Sequence, residues 1–169
     1  MNIKLLKKLF VSSIHAQSIF KDCPAGKGNG DVNYLGENSK GFFFSSRDNN
    51  LTSSLWFSDG TANGTTLLKQ FQIKDYFITQ FATVENDKLL FTLSAQISPL
   101  IKLWISDGTD SGTYQLGDVD YISFQDLKGS VKWLKNRYCF LWNAEGIGPS
   151  IWVSDGTENN FEFVKDIDS

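Results

Sequence analysis

From Ile78 to Val119 apolar positions fall in short runs separated by turn-forming residues, and no run keeps a helical period. The pattern predicts four strands: Ile78–Val84, Lys88–Leu93 after a turn at Asn86-Asp87, Lys102–Ser106, and Thr113–Val119. The third is apolar on both faces. Trp104 points one way while Leu103 and Ile105 point the other, because successive side chains alternate along a strand. A strand of that kind needs cover on both sides.

The pattern recurs. "LWFSDGTANGT" from Leu55, "LWISDGTDSGT" from Leu103 and "IWVSDGTENNF" from Ile151 place Trp56, Trp104 and Trp152 48 residues apart. Leu68-Lys69-Gln70, Leu116-Gly117-Asp118 and Val164-Lys165-Asp166 keep the same spacing, as does Phe20-Lys21-Asp22 before them. "ENSKGFFF" from Glu37 aligns with "ENDKLLFT" from Glu85, and "LKNRYCFL" from Leu134 follows after a one-residue shift. Four strands per period of 40–50 residues is the signature of a β-propeller, whose stacked blades bury their middle strands on both faces. The expected fold is therefore all-β and propeller-like, with three four-stranded blades at about 25–72, 73–120 and 121–169. Residues 1–24 are expected to be a leader or a degenerate half-repeat ahead of a repeat domain spanning 25–169. Trp56, Trp104 and Trp152 are expected at equivalent buried core positions, one blade apart.

The repeated Ser-Asp-Gly-Thr is the most conspicuous candidate site, and turn chemistry explains it. Gly60, Gly108 and Gly156 suit a backbone that must take positive φ, and Asp59, Asp107 and Asp155 can accept from amides two residues on. Gly64 and Gly112 are expected to supply a second permissive position, filled in the third copy by Asn160, which also tolerates the left-handed region. These six Asp and Gly residues are thus assigned to structural turns, not to catalysis.

"LWFSDGTANGTTLLKQF", "LWISDGTDSGTYQLGDV" and "IWVSDGTENNFEFVKDI" resemble the bacterial ELWxxDGT repeat, and "IFKDCPAGKGNGDVNYLGENSKGFFF" resembles that family's link between repeats. The resemblance covers about residues 19–169. The family's leading Glu is replaced by Ser54, Lys102 and Ser150, and Asn160-Phe161 stands for Gly-Thr in the third copy. The resemblance implies tandem, propeller-like arrays in large and often exported bacterial proteins, hence an extracellular or cell-surface setting. It implies no catalytic residues. The expected function is a non-catalytic repeat module that holds a protein partner or further copies of the repeat, with self-association in view. A carbohydrate-active propeller, either lectin or glycosidase, is the alternative, motivated by the Asp-Gly turns and by Trp133 and Trp142 outside the repeated Trp column. Tyr138, Phe140 and Trp142 alternate along one strand face, however, which is the ordinary pattern of a core.

Composition narrows the chemistry. The 169 residues suffice for a hydrophobic core, and 41% apolar with 21% charged residues is the balance of a soluble globular chain. A net charge of −3 argues against nonspecific nucleic-acid binding. Nucleophilic catalysis needs a base, and the only histidine is His15. Asp118 and Asp120, recurring at Asp166 and Asp168, offer too few oxygens for calcium, so no metal or cofactor is expected. Glu85, Glu145, Glu158 and Glu162 show no spacing that singles out a glycosidase pair. "GKGNG" from Gly26 lacks the Gly-Lys-Ser/Thr ending of a phosphate loop and fits an inter-blade turn. Cys23 and Cys139 allow one bridge, but the sequence does not bring them together, and two separate thiols is the simpler expectation. The start of the chain is weak as a signal peptide, since "LFVSSI" is short and Ile14 is poor before a cut at Ala16. No segment approaches the ~20 apolar residues of a transmembrane helix. Closed propellers have four to eight blades, and about three and a half copies fit here. An open arc with apolar faces at its ends is therefore expected.

Overall fold

The period of 48 becomes three sheets in the computed structural model, which describes residues 31–48, 52–71, 76–84, 86–95, 101–119, 130–144 and 146–167. The first blade is β1 (Asp31–Glu37), β2 (Phe42–Arg47), β3 (Ser53–Ser58) and β4 (Thr65–Phe71). The second is β5 (Tyr76–Val84), β6 (Lys88–Ala95), β7 (Ile101–Ser106) and β8 (Tyr114–Val119). The third is β9 (Val131–Leu134), β10 (Arg137–Ala144), β11 (Gly148–Ser154) and β12 (Glu162–Asp166). Each blade is an antiparallel meander with its strands side by side in chain order. The architecture is all-β and propeller-like, with the repeat as its unit. The expected leader, His15, Cys23, the "GKGNG" stretch, Asp120 and Asp168 lie outside the described residues.

Neighbouring blades pack face to face. Phe43, Leu55, Phe57, Leu68 and Phe71 of the first blade share a core with Leu89, Phe91 and Leu93 of the second. The opposite face of the second blade, including Leu90, Leu103, Ile105 and Leu116, packs on Val131, Tyr138 and Phe140 of the third. Each blade thus has a leading face, carrying its Trp, and a trailing face, carrying the residues on either side of the Trp. The middle strand is covered on both faces in the second blade, as its composition requires.

Three details depart from the sequence expectation. Trp56, Trp104 and Trp152 do occupy equivalent positions, on β3, β7 and β11, but they are half-buried and not fully enclosed. Their cross-strand partners Phe44, Phe91 and Phe140 are fully buried, as is Phe43, which faces Phe57. An indole is large and has a polar N–H, so it covers the edge of a core more readily than it fills the centre.

The second departure is in register. The 48-residue alignment sets Phe43 against Phe91, yet in the sheets Phe44 and Phe91 are the residues that face the Trp. The first hairpin shortens from blade to blade, with Glu37 facing Phe42, then Val84 facing Lys88, then Leu134 facing Arg137. Asn38 caps the longest of these loops by accepting from the amides of Lys40 and Gly41. The shorter loops place Asn86, Asp87, Lys135 and Asn136 at φ of 67°, 59°, 50° and 61°. Asn and Asp accept the left-handed region at small cost, and Lys135 takes it because a two-residue hairpin demands it.

The third departure is a β-bulge in the last strand of every blade. The register shifts between Leu55 and Trp56, Leu103 and Trp104, and Ile151 and Trp152. Leu68, Leu116 and Val164 are the extra residues opposite these steps. A bulge adds local twist and re-aims a side chain, and here Leu68 and Leu116 reach the cores between blades.

Candidate functional site

The Ser-Asp-Gly-Thr turns join the third and fourth strands of each blade, at the same end of the three sheets. Gly60, Gly108 and Gly156 have φ of 92°, 91° and 85°. Only glycine enters that region without strain. In each turn one carboxylate oxygen, Oδ1, accepts from both the amide and the hydroxyl of the Thr two residues on. The amide distances are 2.8, 2.9 and 2.9 Å for Asp59, Asp107 and Asp155, and the hydroxyl distances are 2.7, 2.7 and 2.6 Å. The Ser before each Asp accepts from the Gly amide, at 3.0, 3.2 and 3.0 Å for Ser58, Ser106 and Ser154.

The first two copies carry the network further. Thr61 and Thr109 accept at Oγ1 from the amides of Gly64 and Gly112, both at 3.0 Å. Thr65 and Thr113 donate to the carbonyls of Thr61 and Thr109 at 2.6 and 2.5 Å, and lie 2.7 Å from the hydroxyls of Ser58 and Ser106. The reason for Gly64 and Gly112 is not positive φ, as the sequence suggested. A Cβ on either would overlap the carboxylate of Asp59 or Asp107, so glycine is required by close approach. In the third copy Asn160 Nδ2 instead reaches Asp155 Oδ2 at 3.4 Å. The left-handed residue there is Asn159, at φ 57°, whose amide donates to the Gln115 carbonyl of the second blade at 3.1 Å.

Electrostatics follow this wiring. The Thr61 hydroxyl, then its amide, holds Asp59 below the usual carboxylate range, and Thr157 does the same for Asp155. Burial pushes Asp107 upward, but the Thr109 hydroxyl and amide together with Lys88 outweigh it, so this group too is lowered. The Lys88 ammonium stands 3.4 Å from Asp107 Oδ2. These are ionised acceptors already engaged by their own turn. None is a carboxyl held protonated for general acid work.

The remaining candidates are also placed. Asp118 accepts from Lys102 Nζ at 2.8 Å and from Gln115 Nε2 at 2.6 Å. Among the described residues no group of three or more His, Cys, Asp or Glu side chains converges as a metal site. Trp133 packs on Tyr138 with ring centroids 4.5 Å apart, at the margin of the core between the second and third blades. Tyr138 and Phe140 are buried, while the side chain of Trp142 lies outside the described set. Cys139 is a free, half-buried thiol. Among the described residues no helix is long and apolar enough to cross a membrane.

Sequence reasoning missed the contacts between blades. The first hairpin loop grips the second: Asn38 Nδ2 donates to the Asp87 carbonyl at 3.0 Å, the Ser39 amide donates to Asp87 Oδ1 at 3.1 Å, and the Ser39 hydroxyl bonds Oδ2. Tyr114 donates to the Gly156 carbonyl at 2.5 Å, tying the second blade to the turn of the third. Phe161 fits against Gly117, where a Cβ would come within 2.9 Å of the Phe161 Cβ. The sequence did hold a signal for this last pair. Phe161 stands where other copies have Thr65 and Thr113, and Gly117 stands where they have Lys69 and Lys165.

No protein-family model matches the chain, and no curated protein does. Among solved structures, a chain from a structural and mechanistic study of two prolyl endopeptidases is similar, with a TM-score of 0.51 and 14% sequence identity. The match covers 98% of this chain and 28% of that one, so this chain spans little more than a quarter of its neighbour's length. At that identity the likeness concerns the fold alone.

Proposed function

We propose that this chain is a non-catalytic repeat module of the ELWxxDGT kind, whose role is to hold a protein partner or further repeats. The observation that carries the reading is the use of the motif's own polar atoms. In all three turns the Asp carboxylate is bound by the amide and hydroxyl of the following Thr, and the Ser hydroxyl by the Gly amide. A general-acid carboxylate needs a pKa raised toward the working pH and a second group across a cleft, whereas the turn's own hydrogen bonds hold all three of these carboxylates below the usual range. Three equivalent turns along one end of the sheets serve the fold equally well in each blade. Trp133, committed to packing on Tyr138, adds nothing to a sugar-binding reading. Export and surface display belong to the reading through the ELWxxDGT resemblance.

The test is a turnover screen of the whole chain against peptide, ester and glycoside substrates, alongside an Asp107→Asn variant. No turnover above blank is expected from either protein. Turnover by the parent that vanishes in a folded Asp107→Asn variant would overturn the proposal.

A further inference from the structure

The Ser-Asp-Gly-Thr turn of the first blade differs from its two equivalents at one exposed position. Asn63 stands before Gly64, Ser111 before Gly112, and Asn159 before Asn160, and all three leading side chains are exposed. Gly64 is fixed by the turn itself, because a Cβ there would overlap the Asp59 carboxylate. An asparagine at position 63 is therefore held in an Asn-Gly pair that the fold cannot relieve at the glycine. With no Cβ on the following residue, nothing crowds the approach of its backbone nitrogen to the asparagine side chain.

The same turn restrains that nitrogen. The Gly64 amide donates to Thr61 Oγ1 at 3.0 Å, and the Thr61 hydroxyl in turn donates to Asp59 Oδ1 at 2.7 Å. The Thr65 amide donates to the Ala62 carbonyl at 3.4 Å and the Asp59 amide to the Gly64 carbonyl at 3.3 Å, so the loop closes around Asn63 and Gly64. An amide nitrogen attacks only after it has left its hydrogen bond and lost its proton, so reaction waits on local opening of the turn.

We infer that Asn63 is a self-modification site, attacked at its side-chain Cγ by the Gly64 nitrogen when the turn opens, with the Thr61 hydroxyl as the gate. Hydroxide takes the Gly64 N–H proton, the new C–N bond closes a cyclic imide, and the side-chain nitrogen leaves as ammonia with a proton returned by water. A second water then opens the imide at either carbonyl, leaving isoaspartate or aspartate at position 63 with no change of oxidation state. Isoaspartate routes the main chain through the side chain and so adds a methylene to a loop closed at both ends. Either product adds a carboxylate to a turn that already holds that of Asp59. Modification thus loosens the turn of the first blade and leaves the other two intact, whichever reading of the function holds.

The test keeps the folded full chain at mildly alkaline pH and follows position 63 by peptide mass spectrometry. Fragment ions separate it from Asn49 and Asn50 in the same tryptic peptide, while Asn29-Gly30, outside the described residues, falls on another. Time-dependent exchange of amide for acid is expected at position 63, as a mixture of isoaspartate and aspartate, well ahead of any change at Asn159. Ser111→Asn, which sets the same pair at the equivalent exposed place in the second blade, should acquire the reaction at position 111. Thr61→Val should speed both the loss of Asn63 and hydrogen exchange at the Gly64 amide by about fivefold, the worth of one net hydrogen bond. The Ser111→Asn readout stands even if Thr61→Val does not fold. An amide that persists at position 63, equal conversion at Asn159, a Ser111→Asn chain left unmodified at 111, or an unchanged rate in folded Thr61→Val overturns the inference.

Discussion

Three equivalent tryptophans with unequal hydrogen bonding allow a controlled comparison. Trp56 Nε1 donates to Ser46 at 2.9 Å, and Trp152 Nε1 donates to Ser150 at 3.0 Å. Trp104 Nε1 is buried and has no hydrogen-bond partner among the described residues. The cause is in the sequence: Leu93 and Lys102 stand where the first blade has Ser46 and Ser54. Trp→Phe at each site removes a similar ring fragment from a half-buried, aromatic-stacked position, so the packing cost largely cancels between sites. What remains is the N–H. Trp56→Phe forfeits a hydrogen bond and strands the buried Ser46 hydroxyl, a cost of about 1–3 kcal/mol. Trp104→Phe removes a donor that is already unsatisfied, so that penalty disappears instead of arising. Trp104→Phe is therefore expected to be less destabilising than Trp56→Phe by about 2 kcal/mol. With a urea m-value of about 2 kcal/mol/M, the two midpoints separate by about 1 M. Ser46→Ala should cost about 1 kcal/mol in the parent and close to nothing in Trp56→Phe, which closes a double-mutant cycle. Equal midpoints for the two Trp variants, or a larger loss at Trp104, would refute the reasoning.

Two further outcomes are expected. Gly117→Ala should cost about 1–3 kcal/mol by overpacking against Phe161, and Phe161→Thr should relieve most of it, so thermal melts of the single and double variants will be non-additive. Stability should be flat near neutrality and fall at both extremes of pH. Hydrogen bonds hold Asp59, Asp87, Asp107 and Asp155 below the ordinary carboxylate value of 3.8, so their contribution is present above about 3.8 and is lost as pH falls through the lowered values. Tyr34 and Tyr138 are pushed from 10.0 up to about 12, both chiefly by burial, so their contribution holds below 10 and is lost as pH rises toward 12. Melting temperatures across pH 2–12, with phenolate absorbance followed at the alkaline end, check both limbs. A phenolate titration complete near 10, with the fold intact, would contradict the burial of those two rings.

How much of this protein was legible in its sequence follows from the range of the forces involved. The repeat was legible, because each blade is built from nearest-neighbour strands joined by short turns, and such contacts leave a period of 48 in the chain. Strand positions in the second blade were legible because alternation and Asn86-Asp87 fix them locally. The role of Asp59, Asp107 and Asp155 in their turns was legible for the same reason: their partners lie two residues away. The bulges at Leu68, Leu116 and Val164 were not, since an extra residue in one strand is defined only against the strand beside it. Nor was the need for Gly112, which depends on a carboxylate folding back over it and not on φ. The half-burial of the three tryptophans, the grip of Asn38 and Ser39 on Asp87, and the exposure of Leu141 and Val164 all depend on how one blade meets the next. Sequence period dictates that blades exist and what each is made of. Only the tertiary structure decides which faces are covered, because burial is a property of the neighbour as much as of the residue.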